Sequence, residues 1–277
     1  AGYSTYAHRA HGLAQVLRIH VDRREPLKFM RLEIANRRDQ PRPITVTCLV
    51  RWVLGNSIDS ALPFVQCEHV PEARAILARN AYLPGESGRV AFLASEQRVH
   101  GFTVDLEEFL GEGGLERPAA LARIGLSDAQ LPQGAACAAL QVHLDLPARG
   151  SGHALFVLGV GNGRDDAVAR ARRAATATAD RRSVGRAREE WETLLGTVQV
   201  DTPDASMNLL LNRWLLYQAV SARLFARTGF WQPSGAYGFR DQLQDVMALV
   251  WSAPDLVRDH ILHAASRQFE AGDVLHW

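Results

Sequence analysis

Ile44-Thr-Val-Thr-Cys-Leu-Val-Arg-Trp52 sets Ile44, Val46, Cys48, Val50 and Trp52 on one side of an extended chain. Side chains alternate across a strand, so an apolar face with a period of two marks a half-buried β-strand. Working outward, Lys28 to Ala35 repeats the pattern, with Met30, Leu32 and Ile34 set against Arg31 and Glu33. Val16 to Val21, Arg89 to Ala94, Ala139 to Leu146 and His153 to Val160 alternate in the same way. Turn-forming stretches separate these runs: Asn36 to Pro41, Leu83-Pro-Gly-Glu86 and Pro147-Ala-Arg-Gly150. Many strands joined by turns, without helices between them, predict antiparallel sheets packed face to face over residues 1–162.

The pattern changes at Gly161-Asn-Gly163. Residues 163–200 are rich in Ala, Arg and Glu, with no Pro and with Gly185 as the expected break, which predicts a pair of linker helices. Arg170, Arg172, Arg173, Arg181, Arg182, Arg186 and Arg188 alternate with Asp165, Asp166, Asp180, Glu189 and Glu190, the composition of a solvated face. From 201 onward apolar residues recur at helical spacing. Thr202-Pro-Asp204 reads as a helix start, with Thr202 as cap, before Met207, Leu210, Leu211, Trp214 and Leu215. A loop over 228–238 follows. The next helix places Phe239, Leu243, Val246, Met247 and Val250 on one face, and Ser252-Ala-Pro-Asp255 opens a helix from Leu256 to Phe269. Such segments pack as antiparallel helical hairpins.

Composition narrows the function. The chain has 277 residues, enough for two structural units, and its formal net charge of +1, with no basic face, argues against a nucleic-acid partner. Cys48, Cys67 and Cys137 are distant and odd in number, so buried reduced thiols are expected rather than disulfides or a zinc site. No run approaches the roughly 20 apolar residues of a membrane span. The opening Ala-Gly-Tyr-Ser-Thr-Tyr has neither the charged nor the apolar region of a secretory leader, and a cytoplasmic location without direct membrane contact is expected. His260 with His263, and His8 with His11, have no third ligand nearby, so no metal is expected. Gly111-Glu-Gly-Gly114 lacks the Lys and the strand–helix context of a phosphate cradle.

The chemistry gathers in Gly235-Ala-Tyr-Gly-Phe-Arg-Asp-Gln-Leu-Gln-Asp245. Arg240, Asp241, Gln244 and Asp245 fall opposite the apolar stripe of their helix, directly after an aromatic, Gly-rich loop. Guanidinium and carboxylate groups pair with sugar hydroxyls while rings cover C–H faces. A capped helix with an acidic, solvated face explains the spacing equally well. Asp241 and Asp245 are not an acid/base pair: one helical turn apart, they point the same way, whereas catalytic carboxylates flank a scissile bond.

Several blocks occur in one order: Asn212-Arg-Trp-Leu-Leu-Tyr-Gln218, Gly229-Phe-Trp-Gln232, the 235–249 stretch and Gly272-Asp-Val-Leu-His-Trp277. Upstream come Tyr3-Ser-Thr-Tyr-Ala-His-Arg-Ala-His-Gly12, Arg51-Trp-Val-Leu-Gly55, Leu77-Ala-Arg-Asn80, Gly88-Arg-Val-Ala-Phe-Leu93 and Arg117-Pro-Ala-Ala-Leu121. Together they resemble glycoside hydrolase family 94 and, within it, the phosphorylase-like C-terminal region of cyclic β-1,2-glucan synthases. The resemblance implies a β-supersandwich at 1–162, a helical linker at 163–200 and the start of an (α/α)6 barrel at 201–277. It implies inverting phosphorolysis or glucosyl transfer on β-linked glucans, with inorganic phosphate as co-substrate and no other cofactor. By position, Arg240 and Asp245 bind the glucosyl unit, Asp241 and Gln244 orient them, and Tyr237, Trp231 and Phe230 are stacking candidates. The general acid is expected beyond Trp277, leaving this chain catalytically silent.

The expected partner is β-glucan or a gluco-oligosaccharide, with a homodimer through the sandwich as a further option and a membrane-anchored parent another. Two rival readings stay open. One is a non-catalytic carbohydrate-binding or scaffolding piece; the other is a sandwich-plus-helical-barrel enzyme acting on α-linked disaccharides.

Overall fold

A computed structural model describes residues 1–55, 61–82, 88–225 and 239–274. The chain divides into two compact units, one over Gly2–Arg188 and the other over Glu189–Trp277 together with Ala1.

The first unit is built on ten strands: β1 (Tyr3–Ala10), β2 (Leu13–Val21), β3 (Leu27–Asn36), β4 (Arg42–Arg51), β5 (Val65–Val70), β6 (Ala75–Asn80), β7 (Arg89–Ser95), β8 (Val99–Asp105), β9 (Ala136–Leu146) and β10 (Ser151–Asn162). Seven form one antiparallel sheet in the order β1-β2-β3-β10-β7-β6-β5, and β4-β9-β8 form a second. The expected strands at 16–21, 28–35, 44–52, 89–94, 139–146 and 153–160 are all present. The expectation of no helix among them was wrong. A short helix, α1 (Leu106–Leu110), sits between β8 and β9, capped by Asp105, whose side chain accepts from the Glu107 and Glu108 amides.

The central strands of the large sheet, β10, β7 and β6, are buried on both faces. Ile76, Leu93 and Phe156 meet Trp52, Phe102, Val104, Leu140 and Val142 between the sheets. Their strand neighbours Leu77, Phe92, Leu155 and Val157 point the other way, onto a helix. Arg89 to Ala94 therefore does not alternate as expected: Val90 to Ala94, like Ala75 to Ala78, is a continuous apolar run buried on both sides. Each fully buried Leu, Phe or Val stabilises by roughly 1.5–3 kcal/mol.

That helix is α2 (Arg164–Ala174), which buries Ala167, Ala171 and Ala174 at i, i+4, i+7 spacing. Asp165 and Asp166 occupy its first turn and Arg172 and Arg173 its last, matching the helix dipole at both ends. Small residues let it approach the sheet closely: a Cβ on Gly161 would lie 2.4 Å from the Ala167 amide nitrogen.

α3 (Ala177–Leu195) follows. Gly185 does not break it; the interruption falls at Ala175–Thr176, where the Thr176 hydroxyl accepts from the Ala179 amide at 3.2 Å. Nor is the charged face simply solvated. Asp180 is fully buried and accepts from Arg18 at 2.7 Å. Arg186 donates to Asp22 at 2.6 Å, and Arg170 and Arg173 both pair with Glu25. The division into two units falls inside α3, between Arg188 and Glu189.

The second unit is helical. α4 (205–225) is α-wound at Ala205–Leu209 and Leu215–Gln218 and π-wound at Leu210–Trp214 and Ala219–Phe225. Its cap is Asp204, not the expected Thr202: the Asp204 carboxylate accepts from the Ser206 and Met207 amides at 2.8 and 3.3 Å. Thr202 instead bonds the Asn208 side chain at 2.7 Å. α5 (Phe239–Val246) and α6 (Pro254–Ala265) complete the described elements. α6 begins at Pro254, two residues ahead of the expected start, and ends four residues before Phe269. Trp191, Leu195, Val220, Leu224, Val246, Leu249 and Val257 form this unit's core. Among the described residues, no helix is long and apolar enough to cross a membrane.

Candidate functional site

α5 carries Arg240, Asp241, Gln244 and Asp245. Its buried side is Gln242 and Val246, continued by Leu249 in the 3-10 turn that follows. The expected stripe was different. Met247 and Val250 are exposed by 70% and 47%, and of that set only Val246 is buried. Two overlapping faces of this short helix are apolar enough to pack. The one at i, i+4, i+7 from Gln242 is the one that reaches the core formed with Leu195 and Val220.

The turn of phase leaves Arg240, Asp241 and Gln244 exposed and Asp245 half-buried. Arg240 Nη1 donates to Asp241 Oδ1 at 3.2 Å, with side chains 80% and 53% exposed. The structure therefore brings Arg240 to its neighbour Asp241, close to the helix start, where the dipole favours a carboxylate. Such a pair in solvent is worth little to stability. What it does is hold one face of the guanidinium fork while the rest stays open to a partner. Tyr237, Trp231 and Phe230 lie outside the described residues.

This unit exposes large apolar side chains: Leu209, Trp214 and Leu215 on α4, Met247 and Trp251 after α5, and Ile261 and Leu262 on α6. Trp251 is 90% exposed. Among the described residues, no cluster of His, Cys, Asp and Glu is arranged to hold a metal ion.

A second polar group escaped the sequence reading. Arg18, His20 and Arg31 lie on the face of the large sheet toward α3, with Asp22, Asp180 and Arg186 around them. His20 is buried and its imidazole is held below its ordinary range, chiefly by that burial and by Arg18, against the opposing pull of Asp180 and Asp22. A signal for this group was available. Val16, Arg18 and His20 share one strand face, as do Phe29, Arg31 and Glu33, and charges at alternate positions beside apolar residues mark a partnered site.

The chain is thus a β-sandwich of two antiparallel sheets followed by charged helices and a helical unit in which Arg240 and Asp241 pair at a helix start. The family comparison agrees. Residues 1–177 match the supersandwich domain of glycosyl hydrolase 94, and residues 190–277 match the catalytic domain of the glycosyl hydrolase 94 superfamily. The chain belongs to glycosyl hydrolase family 94. It is 40% identical over 265 residues to the cyclic β-(1,2)-glucan synthase NdvB of Rhizobium meliloti, covering 93% of this chain and 9% of that protein. It is 24% identical to solabiose phosphorylase of Paenibacillus borealis, covering 98% of this chain and 35% of the other. Among solved structures, a putative kojibiose phosphorylase from the human microbiome aligns with a TM-score of 0.45 at 9% identity, over 79% of this chain and 26% of that one. The chain thus spans about a tenth to a third of the length of these curated relatives.

Proposed function

We propose that this chain is the sandwich (1–162), the linker (163–200) and the opening helices (201–277) of a family 94 catalytic module acting on β-linked glucans, in particular β-1,2-linked ones. The observation that carries this reading is the 40% identity to a cyclic β-(1,2)-glucan synthase across 93% of the chain. In this reading the helices belong to an (α/α)6 barrel, and the exposed Trp214, Leu215, Met247 and Trp251 side chains are covered by its further helices. The module works on the cytoplasmic side, and a homodimer through the sandwich is part of the same proposal.

The chemistry follows from the inverting route. Phosphate attacks the anomeric carbon of the terminal glucosyl unit while an acid protonates the departing oxygen, so the C–O bond breaks as the C–OP bond forms. Phosphate takes the place of the second carboxylate of an inverting glycosidase. Arg240 and Asp245 hold the glucosyl unit: the guanidinium fork donates to hydroxyls and the carboxylate accepts from them, charge-assisted contacts stronger than neutral ones. Asp241 fixes Arg240, and Gln244 steadies Asp245. The general acid is supplied from outside this chain.

The reading is tested by incubation with inorganic phosphate and a β-1,2-gluco-oligosaccharide. The full-length protein is expected to release glucose 1-phosphate and this chain to release none. Turnover by the 277-residue chain would overturn the placement of the acid, and an inactive full-length protein would overturn the reaction.

A further inference from the structure

We infer that the sandwich carries a carbohydrate-binding site of its own, on the sheet face beside α3 and separate from the α5 residues. Strand alternation puts Tyr3 and Thr5 of β1, Val16 and Arg18 of β2, and Arg31 and Glu33 of β3 on that face. The register aligns Thr5 with Arg18 and Arg18 with Arg31. α3 closes one side with Val184 and Arg188, leaving a recess of about 210 Å³, on the scale of one sugar ring.

The polar walls are built rather than incidental. Arg18 and Arg31 stand directly opposite each other, a like-charge cross-strand pair that destabilises a sheet unless something compensates it. Asp180 compensates: its carboxylate lies 2.7 Å from Arg18 Nη2 and 3.9 Å from Arg31 Nη1 while being wholly buried. Arg31 Nε also donates to Glu33 at 2.9 Å. Both guanidinium planes are therefore fixed before any ligand arrives, with side chains only 27% and 15% exposed. Packing alone gives no reason for this arrangement, since apolar residues would seat α3 at least as well. One carboxylate shared between two forks also leaves Arg18 Nε, Arg31 Nη1 and Asp180 Oδ1 without hydrogen-bond partners.

The signs of the charges choose the ligand. Arg18, Arg31 and Arg188 supply donors, while Glu33, 56% exposed at the rim, is an acceptor that repels an anion. Tyr3 and Val16, exposed by 43% and 38%, offer apolar surface beside these groups. Fixed donors, an acceptor and a tyrosine ring around a ring-sized recess suit a neutral polyhydroxyl compound, whose hydroxyls both give and take hydrogen bonds. Such a site would retain a glucan chain near the catalytic module while its end is processed. That choice of glucan rests on the function proposed above; the polyhydroxyl chemistry rests on the recess.

Isothermal titration of the 277-residue chain with short β-1,2-, β-1,3- and β-1,4-linked gluco-oligosaccharides, and separately with inorganic phosphate, tests the site. At least one oligosaccharide is expected to bind. Tyr3→Ala and Glu33→Gln, both at exposed positions, are expected to weaken it by about tenfold or more, the first by removing a ring face and the second a charged acceptor. In an Arg240→Ala background, where the α5 contact is already lost, binding that Tyr3→Ala and Glu33→Gln weaken is expected to remain. Binding that survives Tyr3→Ala and Glu33→Gln but disappears in Arg240→Ala overturns the inference, as does binding of phosphate alone or of nothing. Failure of the catalytic reading shows separately, as absent glucose 1-phosphate release by the full-length protein. Unchanged melting temperatures for the two variants exclude a folding artefact.

Discussion

Arg18 on β2 donates to Asp180 on α3 at 2.7 Å, joining residues 162 apart in sequence at a carboxylate with no exposed surface. Removing the acid would leave two opposed guanidinium groups beneath the helix. Truncating one partner of a buried ion pair costs about 3–5 kcal/mol, mostly because a charge is stranded. Asp180→Ala is therefore expected to lower the urea midpoint sharply, and Asp180→Asn by less because the amide oxygen still accepts. A change in Asp180→Ala below about 1 kcal/mol would show that water reaches Arg18 and Arg31 freely.

Asp22 gives the sandwich a defined acid sensitivity. Its Oδ1 accepts from the Arg24 and Glu25 amides at 2.9 and 3.0 Å, and its Oδ2 accepts from Arg186 at 2.6 Å. Burial alone would raise its pKa, but these amides and Arg186 outweigh it and hold the carboxyl at about 2, below its ordinary 3.8. The folded value lies below the unfolded one, so the unfolded chain takes up the proton first. The stabilisation, about 2 kcal/mol, is complete above the ordinary value and is lost as pH falls from there toward about 2. Asp22→Asn is expected to flatten that part of the stability–pH curve measured by thermal melts. An identical acid slope in the variant would argue against it.

Much of the sandwich was legible because alternation survives wherever one strand face is polar. Ile44 to Trp52 and Lys28 to Ala35 are of that kind, and their apolar sides enter the inter-sheet core. β1 was missed because Tyr3 to Ala10 is an edge strand exposed on both faces, with no apolar period to read. β6 was missed for the opposite reason, being buried on both. The helical unit was harder. Val246 belongs to two candidate stripes, and only the packing of Val220 and Leu249 decides between them. Polar residues that face each other across long sequence separations, such as Asp22 with Arg186, cannot be paired from local spacing. The α5 residues were singled out by their chemistry and given their sugar-binding roles by resemblance to a family, since Arg240, Asp241 and Asp245 alone also describe an ordinary helix start.

The cysteines should be chemically silent. Cys48, Cys67 and Cys137 are free thiols; Cys137 is buried as expected whereas Cys48 and Cys67 are half-buried, and desolvation pushes each of the three up to about 12. The thiolate is the reactive form, so disulfide reagents at mildly alkaline pH have almost none to attack. Native protein is expected to react only as fast as it unfolds, and denatured protein to titrate rapidly at all three positions. A fast phase in the native protein would mean that a strand opens locally.

Gly161 is where the sandwich meets its first long helix. A Cβ there would fall 2.4 Å from the Ala167 nitrogen and 2.6 Å from its Cα, and backbone cannot yield as a side-chain tip can. Gly161→Ala is expected to push α2 off the sheet and to cost about 1–3 kcal/mol, the usual range for overpacking. Gly185→Ala meets open space within α3 and serves as the contrast. There a small gain is expected, because Ala is the better helix former. Equal melting temperatures for the two variants would contradict the close approach.

The site assignment stands or falls on Arg240. Its side chain is 80% exposed and, among the described residues, pairs with Asp241 at 3.2 Å, so Arg240→Ala should leave stability unchanged. If the guanidinium holds the glucosyl unit in the reaction proposed above, the same change in the full-length protein removes a charged hydrogen bond. Such a loss is worth roughly 10- to 100-fold in kcat/KM. Arg240→Lys is expected to recover little, because a point charge cannot reproduce a planar fork. Asp245→Asn should fall in the same range, while Asp241→Asn, acting through Arg240, should cost less. Kinetics within about twofold of the parent for both Arg240→Ala and Asp245→Asn would reduce α5 to a capped helix with a solvated face, and the sugar contacts would have to be sought on other elements.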